Sequence, residues 1–158
     1  MTARAETAQL AAGGVRRVVA VRDPCVTRCG VASGGVGKDL RNRLGQRGEQ
    51  LAAEHLVRRG FAIVERNYRT RWGELDIVAF DGQTLAFCEV KTRRLSAGAV
   101  PLEGVHPRKR SQVRKMAGSW LRERTDRAYA RVLRFDAIGV TFDASGQLVA
   151  IEHVEDAF

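Results

Sequence analysis

The chain has 158 residues, which suits one domain with a modest core, because single domains commonly contain roughly 100–150 residues. It carries 27 Lys and Arg against 18 Asp and Glu, and the resulting formal charge of +9 favours a polyanionic partner, nucleic acid before an acidic membrane surface. No apolar run approaches the roughly 20 residues that span a bilayer, which excludes a helical membrane protein and predicts a soluble, cytoplasmic one.

The N-terminal residues 1–40 are rich in Ala, Gly, Val and Arg and lack a sustained hydrophobic period. This composition predicts a disordered basic tail, followed by a folded domain at 41–158. The tail is either a genuine basic arm or the product of a misassigned start codon. Cys25, Cys29 and Cys88 form an odd set without a second Cys or His pair downstream, so we expect neither a disulfide framework nor a zinc site.

The first predicted element is an amphipathic helix from Arg41 to Arg59, which Gly60 ends. Its apolar side chains recur at spacings of three and four residues: Leu44, Leu51, Ala52, His55 and Leu56. Glu49 lies at the edge of this stripe, where a buried carboxylate would need a partner. On the residues alone, we favour an exposed charge in a highly charged helix.

A short strand is predicted at 61–66, followed by a polar link at 67–71 that leads into the next strand. Within and beside this link, Arg69 and Arg71 could contact phosphate, and Tyr68 and Trp72 could stack on bases. Packing at the core or its rim is the commoner role for two aromatic side chains beside a sheet. We therefore favour packing for both aromatic residues.

A β-hairpin is predicted at 75–90, because two apolar runs flank Asp81 and Gly82, a dipeptide typical of turns. A two-residue loop would set Asp76 diagonal to Glu89, whereas a four-residue loop would set them directly opposite. In both cases Asp76, Glu89 and Lys91 share one face. A three-residue loop without a bulge would move Asp76 to the other face.

Two facing carboxylates repel each other unless a positive charge lies between them, and Mg²⁺ favours such oxygen pairs. Asp76 and Glu89 are therefore candidate ligands of Mg²⁺ or Mn²⁺. Lys91 would place an ammonium where it could orient an attacking water or stabilise charge on a phosphate. The alternative is a solvated sheet face on which Lys91 only neutralises the carboxylates.

Beyond the hairpin, residues 93–107 predict a mobile loop over the site, and 108–124 predict a second amphipathic helix. Basic residues crowd its first two turns: Arg108, Lys109, Arg110, Arg114 and Lys115. Positive charge at a helix N-terminus opposes the helix dipole, which indicates an anion partner or else a solvated basic face.

The last two predicted strands, 131–142 and 148–154, form a second hairpin around a polar turn. Asp136 lies inside the first of them and needs a partner there. Arg134 and Lys109 are both candidates for this role. The whole order predicts an α/β fold with a mixed central sheet of about five strands flanked by two helices.

Several ordered motifs from Arg41 to the C-terminus resemble the YraN family, small bacterial proteins placed in the PD-(D/E)XK, restriction-endonuclease-like superfamily. They are Gly45-x-x-Gly48-Glu49-x-x-Ala52, Asn67-Tyr68-Arg69, Gly73-Glu74-Leu75-Asp76-Ile77-Val78-Ala79, Phe87-Cys88-Glu89-Val90-Lys91-Thr92-Arg93 and Arg134-Phe135-Asp136. The resemblance implies a restriction-endonuclease-like fold. It also implies that Glu49 reaches the metal site, and it matches Lys109 to a basic family position in the pattern Val-x-x-x-Lys that starts at Val105. Trp72 departs from the small residue expected before the Gly-Glu pair.

Together these observations predict a metal-dependent nuclease that acts on DNA rather than RNA. Asp76 and Glu89 would hold the metal, Glu49 would assist directly or through water, and Glu74 would be a further ligand or support one. The residues predicted to grip the substrate are Arg93, Arg94, Arg108, Lys109 and Arg110. A nucleic-acid-binding or scaffold protein that keeps this fold without turnover is the alternative; a basic peripheral membrane protein is a weaker one. The sequence leaves undecided whether the protein forms a homodimer that cuts two strands.

Overall fold

A computed structural model of the chain describes residues 38–95 and 107–158. Two helices and five strands follow in the order α1 (Lys38–Arg58), β1 (Ala62–Thr70), β2 (Gly73–Phe80), β3 (Thr84–Arg94), α2 (Pro107–Glu123), β4 (Val132–Phe142) and β5 (Leu148–Val154). Neither helix is long and apolar enough to cross a membrane. Most of the predicted tail (residues 1–37), the greater part of the predicted mobile loop, Cys25, Cys29 and Val105 lie outside the described residues. The last three residues of the predicted tail, 38–40, instead form the start of α1.

The five strands form one sheet in the order β1-β2-β3-β4-β5. The pairs β1–β2, β2–β3 and β4–β5 are antiparallel, whereas β3 and β4 run parallel and are connected through α2. A parallel pair requires such a crossover, because a tight turn only reverses the chain. The predicted α/β fold with a mixed five-stranded sheet and two helices is therefore confirmed.

The sheet separates two apolar layers, one under each helix. Helix α1 contributes Ala52, Ala53 and Leu56 to the first layer, where they pack on Ile77 and Cys88 of the hairpin. Helix α2 contributes Val113, Met116, Ala117 and Trp120 to the second layer. The spacing of three and four residues in both helices places these side chains on the buried side, as predicted.

The predicted polar link at 67–71 is wrong, because β1 continues to Thr70 and pairs with β2 as far as Gly73. Tyr68 pairs with Leu75 and is buried, so it packs in the core and does not face bases. Asn67 adopts a positive φ of 54°, a conformation that Asn tolerates better than most residues. The exposed polar side chains of this segment are compatible with an edge strand. They gave it the composition of a loop, which is why the strand was not predicted from the sequence.

Asp136 is fully buried, and the structure decides its partner. Arg134 donates to both carboxylate oxygens at 2.9–3.1 Å, His153 Nε2 lies 2.9 Å from Oδ2, and the Asp156 amide donates to Oδ1. Burial alone would raise the pKa of Asp136, but the hydrogen bonds with His153 and Arg134 hold it below its ordinary value. Of the two candidates, Arg134 is the partner and Lys109 lies elsewhere.

Candidate metal and nucleic-acid site

The candidate site begins where the β2–β3 ladder ends. Phe80 pairs with Leu85, so the hairpin has the four-residue loop, and the last pair of the ladder is Ile77 with Cys88. One further step in the same register sets Asp76 opposite Glu89. The strand pairing therefore brings together two carboxylates that are 13 residues apart in sequence.

The Asp76 side chain occupies the position where the ladder would continue. Its Oδ2 accepts a hydrogen bond from the Val90 amide at 2.6 Å, so the carboxylate satisfies a backbone donor of β3. The pKa of Asp76 is raised to about 7, chiefly by burial and also by the nearby charges of Glu89 and Glu49, against the opposing effects of the Val90 hydrogen bond and of Lys91. A crowded, half-buried carboxyl with such a pKa marks a functional-site candidate.

Glu89 is 5% exposed and is held by two ammonium groups. Lys91 Nζ and Lys109 Nζ each lie 2.7 Å from Glu89 Oε1. Lys91 follows on the same strand, whereas Lys109 comes from the first turn of α2. From the sequence, Lys109 was expected on the DNA-binding surface or beside Asp136, so its contact with Glu89 was missed. The one signal for a role at this site was the match of Lys109 to the family pattern Val-x-x-x-Lys.

Glu49 and Glu74 approach the site from α1 and from the start of β2. With its amide oriented to match its neighbours, Asn67 donates to Glu49 Oε2 at 3.0 Å and to Glu74 Oε1 at 3.1 Å. Asn67 thus links the two carboxylates, and Glu74 also pairs with Arg69 at 3.4 Å. Glu49 is close enough to Asp76 to raise its pKa, and Asn67 joins Glu49 to Glu74, but the four predicted ligands are not gathered into one group within the described residues.

Gly48 allows α1 to come close enough to β3 for Glu49 to reach this position. A Cβ atom at Gly48 would overlap Thr92 Oγ1, so a larger residue would fit at this crossing only if Thr92 or the helix moved. The neighbouring residue, Glu49, is close enough to raise the pKa of Asp76. Gly48 thus permits the close contact between α1 and β3, and this contact places the Glu49 carboxylate near Asp76.

The donor atoms at the site suit a hard divalent cation. Among residues 38–95 and 107–158, no group of three or more His, Cys, Asp or Glu side chains is already arranged to hold a metal ion. Mg²⁺ does not need one, because it keeps several waters and commonly takes one or two carboxylates together with substrate phosphate. The carboxylate pair Asp76 and Glu89 fits this requirement for Mg²⁺ or Mn²⁺.

The predicted substrate-gripping residues fall into two groups. Arg93 donates to Thr141 Oγ1 at 3.1 Å and to Glu152 Oε2 at 2.9 Å, so it connects β3 to β4 and β5. Arg94, Arg108 and Arg110 are exposed. Next to the carboxylates, a cavity of about 490 Å³ is lined by Trp72, Arg108, Lys109, Ser111, Gln112 and Lys115.

Comparison with known proteins identifies relatives that match most of the chain. The model of a family described as "Uncharacterised protein family UPF0102" matches residues 48–140. A UPF0102 protein of Geobacter sulfurreducens is 46% identical over 125 residues, which cover 78% of this chain and 94% of that protein. A UPF0102 protein of Rhodococcus opacus is 44% identical over 115 residues, covering 73% and 95%.

Proposed function

We propose that this chain, which belongs to the UPF0102 family of YraN proteins, is a metal-dependent nuclease that hydrolyses phosphodiester bonds, with DNA as the substrate. The observation that carries the proposal is the group formed by Asp76, Glu89 and Lys91 at the end of the β2–β3 ladder. Two carboxylates face each other there, and an ammonium lies 2.7 Å from one of them. A protein that only binds nucleic acid gains nothing from confronting two carboxylates.

Asp76 and Glu89 would hold Mg²⁺ or Mn²⁺, which supplies Lewis-acid activation of the phosphate and of water when bound. The Val90 amide fixes Asp76 Oδ2, so the carboxylate is oriented before any ligand arrives. Asp76 must lose its proton to act as a ligand, and its pKa of about 7 makes this step sensitive to pH near neutrality. Glu49 and Glu74, joined through Asn67, support the pair from the side of α1.

Lys91 supplies positive charge where the phosphate becomes more negative in the transition state. Its side chain is 57% exposed, so its ammonium can leave Glu89 and turn toward a bound strand. A preorganised charge of this kind lowers the barrier because it acts mainly on the transition state. Lys91 also lies close enough to the carboxylates to orient the attacking water.

Exposed basic side chains on β3 and α2 would hold the sugar-phosphate backbone. Arg94 lies at the end of β3, and Arg108 and Arg110 lie in the first turn of α2. Such contacts position the strand and give affinity without reading its sequence. Substrate choice would therefore depend on strand geometry more than on base sequence.

A second candidate is a nucleic-acid-binding or scaffold protein that keeps the fold without turnover. One observation favours it: two ammonium groups already neutralise Glu89, which removes part of the need for a metal. In that case Asp76 would be a structural carboxylate that caps the Val90 amide. The two functions differ in whether Asp76 is needed for metal binding and cleavage or only for stability.

The deciding experiment incubates purified protein with single-stranded, duplex and branched DNA in Mg²⁺ or Mn²⁺, with EDTA as the blank. Asp76→Asn and Glu89→Gln should abolish cleavage, because each removes a metal ligand. Glu54→Gln is the matched control, since this exposed carboxylate on α1 contacts Gln50 outside the site. Equal products from Asp76→Asn and the native chain would trace the activity to a contaminant and overturn the proposal.

A further inference from the structure

We infer that the cavity beside Lys109 binds one unpaired nucleotide of the substrate strand, next to the bond that is cut. Its position rests on the proposed function, because Lys109 lines the cavity and also lies 2.7 Å from Glu89. A strand that enters the cavity therefore contacts Lys109, the residue that joins the cavity to Glu89. The substrate class is therefore nucleic acid with a single-stranded segment at the point of cleavage.

The lining residues match the parts of a nucleotide. Arg108, Lys109 and Lys115 supply positive charge for a phosphate, and Ser111 and Gln112 supply hydrogen-bonding groups. Trp72 is half-buried and packs against the apolar layer under α2, as predicted, and the part of it that lines the cavity supplies an aromatic surface, on which bases stack with little regard to sequence. The six lining residues include no carboxylate that would repel a phosphate.

The aromatic wall is held in place by its neighbours. Gln112 Nε2 donates to the Trp72 carbonyl oxygen, which links α2 to the turn between β1 and β2. The Arg71 guanidinium lies over one face of the Trp72 ring, 4.4 Å from its centroid, and adds a cation–π contact, so a base that stacks on this ring uses the other face or displaces Arg71. A wall fixed before binding costs little conformational entropy when a base arrives.

The volume of the cavity favours an unpaired nucleotide over a base pair. About 490 Å³ lies within the range of small-ligand pockets, and the cavity is bounded by one helix and one turn. A base that is stacked and paired inside a duplex cannot present its face to Trp72. Duplex DNA would thus contact the basic rim without filling the cavity.

Tryptophan fluorescence tests this inference without requiring cleavage. The chain has two tryptophans, and the other one, Trp120, is fully buried with its Nε1 bonded to Glu65 at 2.7 Å. A short oligothymidylate in EDTA should therefore quench Trp72 selectively, and a duplex with a single-stranded overhang should do the same. A blunt duplex of equal length should quench much less.

Variants separate the cavity from general charge attraction. Trp72→Ala should weaken oligothymidylate binding by about tenfold and change blunt-duplex binding by less than about twofold, as measured by anisotropy. Trp72→Phe keeps an aromatic ring and should bind nearly as well, which guards against loss of folding. Lys115→Gln should weaken single-strand binding, whereas Arg122→Gln, which removes a charge from the same helix outside the cavity, should not.

Each result bears on the inference separately from the nuclease proposal. Equal quenching by blunt duplex and oligothymidylate, or equal effects of Lys115→Gln and Arg122→Gln, would overturn the nucleotide pocket even if the protein cuts DNA. Selective quenching of Trp72 would support the pocket even if every substrate survives in Mg²⁺ and Mn²⁺. In that second case the nuclease proposal fails and the pocket stands.

Discussion

Asp76 combines two roles that oppose each other in the free protein. Its Oδ2 accepts the Val90 amide, which stabilises the end of the hairpin. Its charge is disfavoured by burial and by Glu89 and Glu49, so its pKa rises from 3.8 to about 7. Charged Asp76 is therefore tolerated at the expense of stability, a pattern common where a ligand relieves repulsion.

Asp76→Asn should stabilise the metal-free protein at pH 8 and have little effect near pH 4. Because the pKa of Asp76 is raised on folding, its favourable contribution to the free energy of unfolding is fully present below pH 3.8. This contribution is lost as the pH rises through about 7, with a cost on the order of 4 kcal/mol. Asn removes this titration and still offers an oxygen to the Val90 amide. Thermal melts in EDTA across this pH range measure the effect. A variant that melts much lower at pH 8 would make Asp76 a structural carboxylate.

Lys91→Ala and Lys109→Ala remove equivalent contacts to Glu89 and should differ in their kinetics. Lys91→Ala should lower kcat by roughly 100-fold while metal and DNA still bind, because its charge acts on the transition state. Lys109→Ala should mainly raise KM, because Lys109 is less exposed and lines the nucleotide cavity. Steady-state kinetics and calorimetry of metal binding distinguish them. Identical changes in kcat and KM would contradict separate roles.

At the scale of elements, the crossing of α1 over β3 controls where Glu49 lies. Gly48 makes this crossing close, whereas Gly45 on the same helix has no atom within 4 Å of the position of a Cβ. One helix thus carries a glycine that packing requires and another that packing does not. This difference provides a matched test.

Gly48→Ala should destabilise the protein by about 1–3 kcal/mol, because the new methyl group overlaps Thr92 and forces the helix away. Gly45→Ala should stabilise it by roughly 0.5–1 kcal/mol, since alanine favours the helix and meets open space. Thr92→Ala should recover part of the Gly48→Ala loss. Urea unfolding of the single and double variants measures the coupling, and strict additivity would show that the two residues do not meet.

At the scale of the whole molecule, the excess of basic residues should govern affinity for nucleic acid. Each phosphate that the protein neutralises adds a slope of roughly −0.9 to the dependence of log K on log salt for a duplex. Replacing Arg108, Lys109 and Arg110 with Ala should therefore flatten the slope as well as weaken binding. Anisotropy titrations at several salt concentrations measure this. An unchanged slope would place the phosphate contacts elsewhere.

Residues 1–37 should be dispensable for folding, because they lack a sustained hydrophobic period and the described residues 38–95 and 107–158 already form two apolar layers around the sheet. A truncated chain that begins at Lys38 should melt within a few degrees of the full chain. Differential scanning calorimetry compares the two directly. A larger loss would show that the N-terminal segment packs on the domain, and a loss of DNA affinity without a change in melting would identify it as a basic arm.

The sequence by itself determined the elements and most of their order. Spacings of three and four residues placed both helices within a few residues of their observed bounds, and Asp81-Gly82 located the hairpin. The motifs also identified the family, which the comparisons confirm. These features are readable because hydrophobic period and turn chemistry depend on residues that are close in the chain.

Only the tertiary structure decided which distant residues meet. It selected the four-residue loop, continued β1 through Asn67, paired Asp136 with Arg134 and placed Lys109 on Glu89. Lys109 and Glu89 belong to a helix and a strand separated by residues 95–106, and no local pattern specifies their contact. Such contacts depend on how the parallel crossover packs α2 onto the sheet, since ion pairs form wherever packing brings opposite charges together.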